Sequence, residues 1–451
     1  MLVNRSSGND FTTGSILSKM LLFSGPIFLT NILQTSYQFI DSIWVGNLIG
    51  ANALGAISVS STIIFTVLSF IIGINSASLT VLSQQKGRKD AEGLSESLNA
   101  FVIVLTFLAI AFGLLGVVIS GPILSLLGTP ENILPLASNY LRVNFLGIVF
   151  LFGYNFIGTV LRALGDSKTP IRFVIVAVVL NTILDPLFIA VFDWGIIGAA
   201  LATIVSQGGA FLYGLIFILK TDRAPFTRPH LPSRKYVKTI FKLGIPSGLQ
   251  MMAISGGMMA IMSVITRFGE DAVAGFGAAQ RIDSLIVLPA MTLGSAVNSM
   301  AGQNIGAKEW KRVHEIARIG VFFILLIMVA ISTFVFFTGE YLIGLFTSDQ
   351  QTIQFGTMYM KTIAYFYPFL GVNFVLNGVV RASGAMFQIL ILNIISFWIL
   401  RYPLASVMSS FFGEKGIPLG MGISLIISSI IAFIYYRFGK WDEMKVFEDK
   451  S

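Results

Sequence analysis

Long apolar runs, broken by glycine, proline and short clusters of charge, dominate this sequence. An α-helix needs roughly 20 apolar residues to cross a bilayer, and each run reaches that length. The pattern predicts twelve membrane-spanning helices, at residues 17–48, 53–83, 94–120, 133–162, 169–191, 195–220, 236–267, 272–302, 314–336, 352–382, 386–411 and 416–439. We therefore predict an all-α integral membrane protein with short loops.

The composition supports a membrane protein and excludes several other classes. Hydrophobic residues make up 55% of the 451 residues and charged residues 12%, whereas a soluble domain carries about 25% charged residues. The chain has no cysteine and two histidines, His230 and His314, both in polar segments. This excludes thiolate chemistry, a Cys/His zinc site and a catalytic histidine pair within the membrane. We expect no enzyme activity, no cofactor, and no metal other than Na⁺.

Positive charge is concentrated in alternate loops, which predicts how the chain is oriented. The formal net charge is +8, but the basic residues lie in short segments between apolar runs, such as 220–242. Because Lys and Arg favour the cytoplasmic side, both termini are predicted to be cytoplasmic, and no nucleic acid partner is expected. The first apolar run lacks a small-residue cleavage site and is interpreted as a retained span. The predicted location is the cytoplasmic (inner) membrane of a prokaryote.

Five motifs recur in the second half of the chain, shifted by 219 or 220 residues. The pairs are Ser24-Gly25-Pro26 with Gly244-Ile245-Pro246, Gly50-Ala51-Asn52-Ala53 with Gly269-Glu270-Asp271-Ala272, Gln84-Gln85-Lys86-Gly87 with Gln303-Asn304-Ile305-Gly306, Tyr140 with Tyr359, and Arg162-Ala163-Leu164-Gly165 with Arg381-Ala382-Ser383-Gly384. Each half has six predicted spans, so both halves enter the membrane from the same side. The repeat predicts two six-helix bundles related by a pseudo-two-fold axis along the membrane normal, as in alternating-access carriers.

These observations divide the chain into five segments. They are a cytoplasmic N-terminal segment at 1–16, an N-terminal six-helix bundle at 17–220, a proline-rich cytoplasmic linker at 221–235, a C-terminal six-helix bundle at 236–439 and a cytoplasmic tail at 440–451.

Polar residues within the first-half spans are the strongest functional signal, because ionisable groups are costly in a membrane. At 1.5 Å per residue, Asp41, Asp185 and Thr203 each lie about 12–13 Å from the outer end of their spans. Asn181 precedes Asp185 by one helical turn on the same face. Oxygen ligands suit hard cations, and two neighbouring carboxylates would titrate as a unit. The set is therefore a candidate site for H⁺, Na⁺ or both in competition. The alternative is a structural polar cluster.

A pocket for an organic compound is predicted beside these carboxylates. Gln34, Tyr37 and Asp41 share one face of the first span, and Tyr140 and Asn155 lie on the fourth. Aromatic rings with carboxylates suit a lipophilic cation through cation–π and charge interactions. The alternative is ordinary interhelical hydrogen bonding.

Two further features of the spans allow more than one interpretation. Pro26 lies early in the first span, where proline removes a backbone hydrogen bond. Its kink is either static or a bend that opens and closes the N-terminal pocket. In the second half, Asp283 and Arg401 are a possible structural ion pair between the eighth and eleventh spans.

Several motifs resemble the multidrug and toxic compound extrusion (MATE) family. They are Gln303-Asn304-Ile305-Gly306-Ala307, Gly198-Ala199-Ala200-Leu201-Ala202-Thr203 and Arg162-Ala163-Leu164-Gly165-Asp166. The resemblance extends from about residue 17 to 440 and implies cation-coupled antiport of organic, mostly cationic compounds. Acidic residues in the first half, and none in spans 7 and 10, resemble the DinF-like and archaeal branch. In that branch the cation site corresponds to Asp41, Asn181, Asp185, Thr203 and the carbonyl of Ala199.

The predicted function is a cation-coupled multidrug efflux antiporter that works by alternating access. Its expected partners are small lipophilic or cationic substrates and membrane lipids, and we expect a monomer. A flippase for a lipid or lipid-linked precursor is the main alternative, although carboxylates in place of a basic cleft count against it. A channel is less favoured because no ring of like residues marks a pore.

Overall fold

A computed structural model describes residues 9–447, except the side chains of Ser42, Ala51 and Leu54. The predicted segments 1–16 and 440–451 therefore lie partly outside the described residues. The part that is described consists of helices and connecting loops and contains no strand. In hydrocarbon, where water cannot satisfy backbone groups, helices are one of the two structures that pair all of them internally.

The helices of the first half are numbered in chain order. They are α1 Ile16–Leu48, α2 Ala51–Arg88, α3 Ala91–Leu126, α4 Leu134–Leu146, α5 Ile148–Ala163, α6 Thr169–Pro186 followed by a π-helical segment Leu187–Val191, and α7 Gly195–Thr221.

The second half continues the numbering. Its helices are α8 Arg234–Ile265 with a 3₁₀ turn Thr266–Phe268, α9 Glu270–Ile286, α10 Leu288–Gly306, α11 Trp310–Gly344, α12 Gln350–Ala364, α13 Tyr367–Ala382, α14 Met386–Ile394, a π-helical segment Ile395–Arg401, α15 Tyr402–Phe412, a 3₁₀ turn Gly413–Lys415 and α16 Gly416–Phe438.

These limits agree closely with the predicted spans, but two spans are bent. Helices α4 and α5 meet at 50°, and α12 and α13 meet at 54°. Among the described residues, nine helical stretches are long and apolar enough to cross a membrane, or eleven if each bent pair counts as one span. The longest, Met386–Phe438, covers two of the predicted spans.

The described residues form two compact units. The first contains Asn9, Asp10 and Gly25–Lys242, and the second contains Phe11–Ser24 and the residues from 243 to 447. Within the first unit α6 packs on α7, and α5 contacts both α2 and α7. Within the second unit α10 packs on α13, and α15 on α16. The apolar pattern did not indicate that residues 11–24 pack in the second unit.

Hydrogen bonds fasten residues 11–24 within the second unit. The Phe11 amide donates to Gln303 Oε1 at 3.1 Å. The Phe11 carbonyl accepts from Asn304 Nδ2 at 3.1 Å and from Arg312 Nη2 at 3.2 Å. The Phe11 ring is fully buried and meets Phe23 edge to face. The Gln303-Asn304 motif thus holds the segment that begins at Phe11.

Close helix contacts in the second unit depend on small residues. A Cβ on Gly378 of α13 would lie 2.5 Å from the Gly294 carbonyl oxygen of α10, nearer than any side chain allows. Small residues of this kind let helix backbones approach in membranes, where lipid offers no hydrophobic drive for association.

Candidate functional site

Two carboxyl groups from different helices lie near each other in the first unit. Asp41 lies on α1 and Asp185 near the end of α6, and their side chains are close enough to interact electrostatically. Asn181 Nδ2 donates to Asp185 Oδ1 at 3.0 Å. Asn181 and Asp185 are completely buried. The predicted polar residues of spans 1 and 5 are therefore brought together.

The site contains buried oxygens that have no hydrogen-bond partner. They are Tyr37 Oη, Asp41 Oδ1, Asn181 Oδ1 and Asp185 Oδ2. A buried polar atom without a partner costs about 1–3 kcal/mol. Three of the four can only accept, so the arrangement favours a proton or a cation that would complete it.

Tyr37 and Tyr140 border the carboxylates. The Tyr37 hydroxyl is close to Thr203, Asp41, Asp185 and Tyr140. The buried Tyr140 is close to both carboxylates, and its hydroxyl interacts with Asn144. Asn144 was not predicted. It lies on α4 one turn after Tyr140, and that spacing was the available signal.

The local backbone around Asp185 is irregular. Pro186 lacks an N–H group, and the next five residues, Leu187–Val191, form a π-helical turn. A Cβ on Gly198 would lie 2.7 Å from the Phe188 carbonyl oxygen, so only glycine lets α7 approach this turn. π-helical turns are frequent at functional sites. The close approach positions Thr203, and Ala199, one turn earlier on α7, is buried.

The other predicted pocket residues form different contacts. Gln34 Nε2 donates to Tyr154 Oη at 3.4 Å, a partner that sequence reasoning missed. Asn155 Nδ2 donates to the Leu151 carbonyl at 2.9 Å within its own helix. Tyr140 borders the carboxylates and Asn155 does not, because the bend between α4 and α5 lies between the two residues.

Helix α1 continues through Pro26 without a break. Thr30 Oγ1 donates to the Pro26 carbonyl at 2.8 Å, one turn later. Pro26 lies two residues after Ser24, where the second unit's part of α1 ends. Its predicted role in bending is not tested by these contacts and stays a prediction.

The predicted ion pair between Asp283 and Arg401 is wrong. Asp283 instead accepts hydrogen bonds from Tyr359, at 3.4 Å, and from Tyr367. Arg401 Nε donates to Ser424 Oγ at 3.2 Å, and its guanidinium lies 4.0 Å from the centre of the Phe397 ring. Tyr359 lies near both Asp283 and Arg401. The ion pair does not form because the tyrosine hydroxyl, and not the arginine, is hydrogen-bonded to the carboxylate.

The donor set of the first unit suits a hard cation rather than a transition metal. Within residues 9–447, no group of three or more His, Cys, Asp or Glu side chains could hold a metal ion. The candidate ligands of Asp41, Asn181, Asp185 and Thr203 are all oxygens, which alkali ions prefer over sulfur or imidazole. The residues present therefore fit Na⁺ or a proton.

Comparison with known proteins identifies the relatives of this chain. The model of the MatE family matches twice, at residues 26–187 and 246–407. Residue 26 corresponds to 246 and residue 187 to 407, a shift of 220 at each end. The internal repeat inferred from five short motifs is therefore found independently.

Two curated relatives match almost the whole chain. The "probable multidrug resistance protein YpnP" of Bacillus subtilis (strain 168) is 59% identical over 441 residues, covering 98% of this chain and 99% of the relative. The "multidrug export protein MepA" of Staphylococcus aureus (strain NCTC 8325 / PS 47) is 26% identical over 432 residues, covering 94% of each.

A solved structure has the same fold. It is described as the outward-facing conformation of a multidrug resistance MATE family transporter of the MOP superfamily. The TM-score is 0.92 at 23% identity, over 98% of this chain and 100% of that one. The predicted all-α fold of twelve spans in two halves is confirmed.

Proposed function

The chain belongs to the MATE family, whose members are membrane transporters rather than enzymes, and from that premise we propose that it is a cation-coupled multidrug efflux antiporter. Its relatives are named for multidrug resistance in B. subtilis and multidrug export in S. aureus. The proposed substrates are lipophilic, mostly cationic organic compounds, and the proposed coupling ion is H⁺ or Na⁺.

One observation carries this proposal. Asp41, Asn181 and Asp185 each keep a buried oxygen atom without a partner, and the two carboxyl groups are close enough to interact electrostatically. Both carboxylates cannot be ionised at close range without a large Coulomb cost unless a proton or metal ion is shared between them. The site is thus able to take up positive charge and to release it.

The antiport cycle follows from competition for this negative charge. A proton or Na⁺ arriving from outside neutralises Asp41 and Asp185. Neutralisation removes the attraction for a cationic compound held beside Tyr37 and Tyr140, which leaves to the outside. Release of the ion to the cytoplasm restores the charge and the affinity for the next compound. The two ligands weaken each other's binding reciprocally, as linkage requires.

The proposal extends to the remaining predicted features. We place the chain in the cytoplasmic membrane of a prokaryote, with both termini in the cytoplasm, as a monomer. The bundles at 17–220 and 236–439 are joined by the linker at 221–235. Gln34 and Asn155 are assigned to the substrate pocket, and the Ala199 carbonyl to the cation site.

Ethidium efflux from proteoliposomes tests the function. Purified wild type, Asp41→Asn and a control, Asp349→Asn, are compared under an imposed gradient of either H⁺ or Na⁺. Asp349 is exposed and caps α12 through the Thr352 amide, which asparagine can also do. We expect efflux in wild type and in the control under at least one gradient, and none in Asp41→Asn.

Each outcome of this experiment is informative. The gradient that drives efflux names the coupling ion. Full efflux in Asp41→Asn would make the carboxylate structural and overturn the site. Efflux from wild type that ignores both gradients would overturn cation coupling.

A further inference from the structure

An elongated apolar cavity lies in the first unit, away from the carboxylates. Its volume is about 310 Å³, at the lower end of the roughly 300–1,000 Å³ typical of ligand sites. Helices α3, α5 and α7 form its walls, with Leu105, Phe156 and Leu215 among the lining side chains. Phe226 of the linker also lines it. Neither the cation site nor the proposed substrate pocket uses any of these residues.

The cavity is a slot rather than a sphere. Its lining on α3 extends from Asn99 to Ala109, a rise of about 15 Å at 1.5 Å per residue. The hydrocarbon core of a bilayer is about 30 Å thick, so one leaflet is about 15 Å deep. The slot therefore has the length that a single acyl chain spans in its own leaflet.

The surroundings of the cavity are those of a lipid-facing surface. Phe107 of α3 is 68% exposed, and Leu212 and Ile216 of α7 are 50% and 51% exposed. Large apolar side chains exposed to this degree within membrane spans face hydrocarbon. The rim residues Thr106 and Leu219 are exposed as well, so the slot opens toward the lipid.

The linker closes one end of the slot and is firmly attached there. Asn99 Nδ2 donates to the His230 carbonyl at 2.9 Å, and Asn99 Oδ1 accepts from the His230 amide at 3.2 Å. The His230 ring lies 3.1 Å from Glu96, and Ser95 Oγ donates to the Pro225 carbonyl at 3.3 Å. These contacts hold the linker against α3 at the closed end.

Basic side chains stand at this closed end. Lys220 follows the lining residue Leu219, and Arg228 lies between the lining residues Thr227 and Pro229. Both basic residues are exposed. Asp222 is the acidic neighbour, while Arg223 is bound to Asp166 at 2.7 Å. The linker end of the slot thus offers exposed positive charge next to an apolar surface, which matches an anionic headgroup beside an acyl chain.

We propose that this slot binds one acyl chain of an anionic membrane phospholipid, with the headgroup at Lys220 and Arg228. The chain packs between α3, α5 and α7 beneath Phe226. Binding therefore stabilises the linker on the first unit. Gly153 lets α5 approach α7 along the slot, because a Cβ there would lie 2.4 Å from the Phe211 ring. This inference does not depend on the proposed transport cycle.

Photolabelling in nanodiscs tests the site. Phosphatidylglycerol with a diazirine in its acyl chain is incorporated, and labelled peptides are mapped by mass spectrometry. Val102→Trp fills the slot, whereas Val118→Trp makes the same change on α3 where the side chain is 73% exposed. We expect labelling of α3, α5 and α7 to fall about tenfold, or ~1.4 kcal/mol, in Val102→Trp alone.

A second variant tests the headgroup without disturbing the helix packing. The double change Lys220→Gln and Arg228→Gln should remove the preference for phosphatidylglycerol over phosphatidylcholine, and Lys415→Gln should leave it intact. Equal labelling in wild type and Val102→Trp would mean only annular lipid and overturn the proposal. Displacement of the label by ethidium would also overturn it, because the slot would then belong to exported compounds.

Discussion

The two halves of this transporter each bury carboxyl groups, but they satisfy them in different ways. In the first half Asp41 and Asp185 interact with each other, and each keeps one buried oxygen without a partner. In the second half Asp283 accepts hydrogen bonds from Tyr359 and Tyr367. One cluster is incomplete and the other is complete, and their carboxylates stand at different positions of the internal repeat: Asp41 corresponds to Ile261, and Asp283 to Ile63.

This contrast separates a site from a structural cluster. Buried oxygens without partners lower the stability of the fold, and a bound ion would offset this cost. An incomplete cluster is therefore what a reversible ligand site requires. A complete cluster has nothing to gain from an added ion. The comparison therefore supports our proposal that cation coupling takes place in the first half, whereas the cluster in the second half attaches helices to one another.

The largest effect is expected at Asp185. Asp185→Asn should lower gradient-driven ethidium efflux by at least about tenfold, since coupling between ligands is typically worth 5–150-fold. Asp283→Asn should retain the ion dependence of wild type, whatever its expression level. Ion dependence is measured in proteoliposomes normalised to protein content. If Asp283→Asn changed the coupling ion or abolished coupling, the contrast between the halves would fail.

The second prediction concerns stability. Removing the hydrogen-bond donors to Asp283 would leave its carboxylate without partners, as in the first half. Tyr359→Phe with Tyr367→Phe removes both donors to Asp283 while keeping the rings. Each orphaned carboxylate oxygen should cost about 1–3 kcal/mol. Thermal unfolding in detergent, followed by fluorescence-detected size exclusion, checks this loss. Tyr341→Phe, at an exposed position on α11, is the control. An unchanged midpoint in the double variant would show that the tyrosines do not stabilise Asp283.

The smallest effect is expected from the prolines of the two halves. If α1 bends at Pro26 during transport, Pro26→Ala should change coupling by about 0.5–2 kcal/mol, the range for residues that touch neither ligand. Pro246→Ala makes the matching change in a helix that carries no carboxylate site. Efflux rate and ethidium affinity are measured for both. Equal effects, or none, would favour a static kink at Pro26.

Much of the fold could be predicted from the sequence because bilayer thickness dictates helix length. Every predicted span overlaps a helix or a bent helix pair, and the repeat shift recurs in the family match. The bends at Gly147 and before Tyr367 were missed, since an apolar run has the same pattern whether it is straight or bent. The attachment of Phe11 to Gln303 was also missed, because it joins residues almost 300 positions apart.

Part of the candidate site could be predicted, because ionisable residues within apolar runs are easy to identify in the sequence. Asp41, Asp185 and Asn181 stood out because polar groups are costly in hydrocarbon. Tyr154 and Asn144 did not, since single tyrosines and asparagines are common in interhelical contacts. The ion pair of Asp283 with Arg401 failed for a related reason. Charge complementarity alone does not reveal which uncharged donor is packed nearer.

The fastening of residues 11–24 within the second unit has a consequence for biogenesis. This segment leaves the ribosome well before Gln303, Asn304 and Arg312, which bind its Phe11 backbone and are synthesised almost 300 residues later. Domains made during synthesis usually fold from the N-terminus onward. Here α1 must enter the membrane before the partners of residues 11–24 exist, so a late folding step returns to this segment.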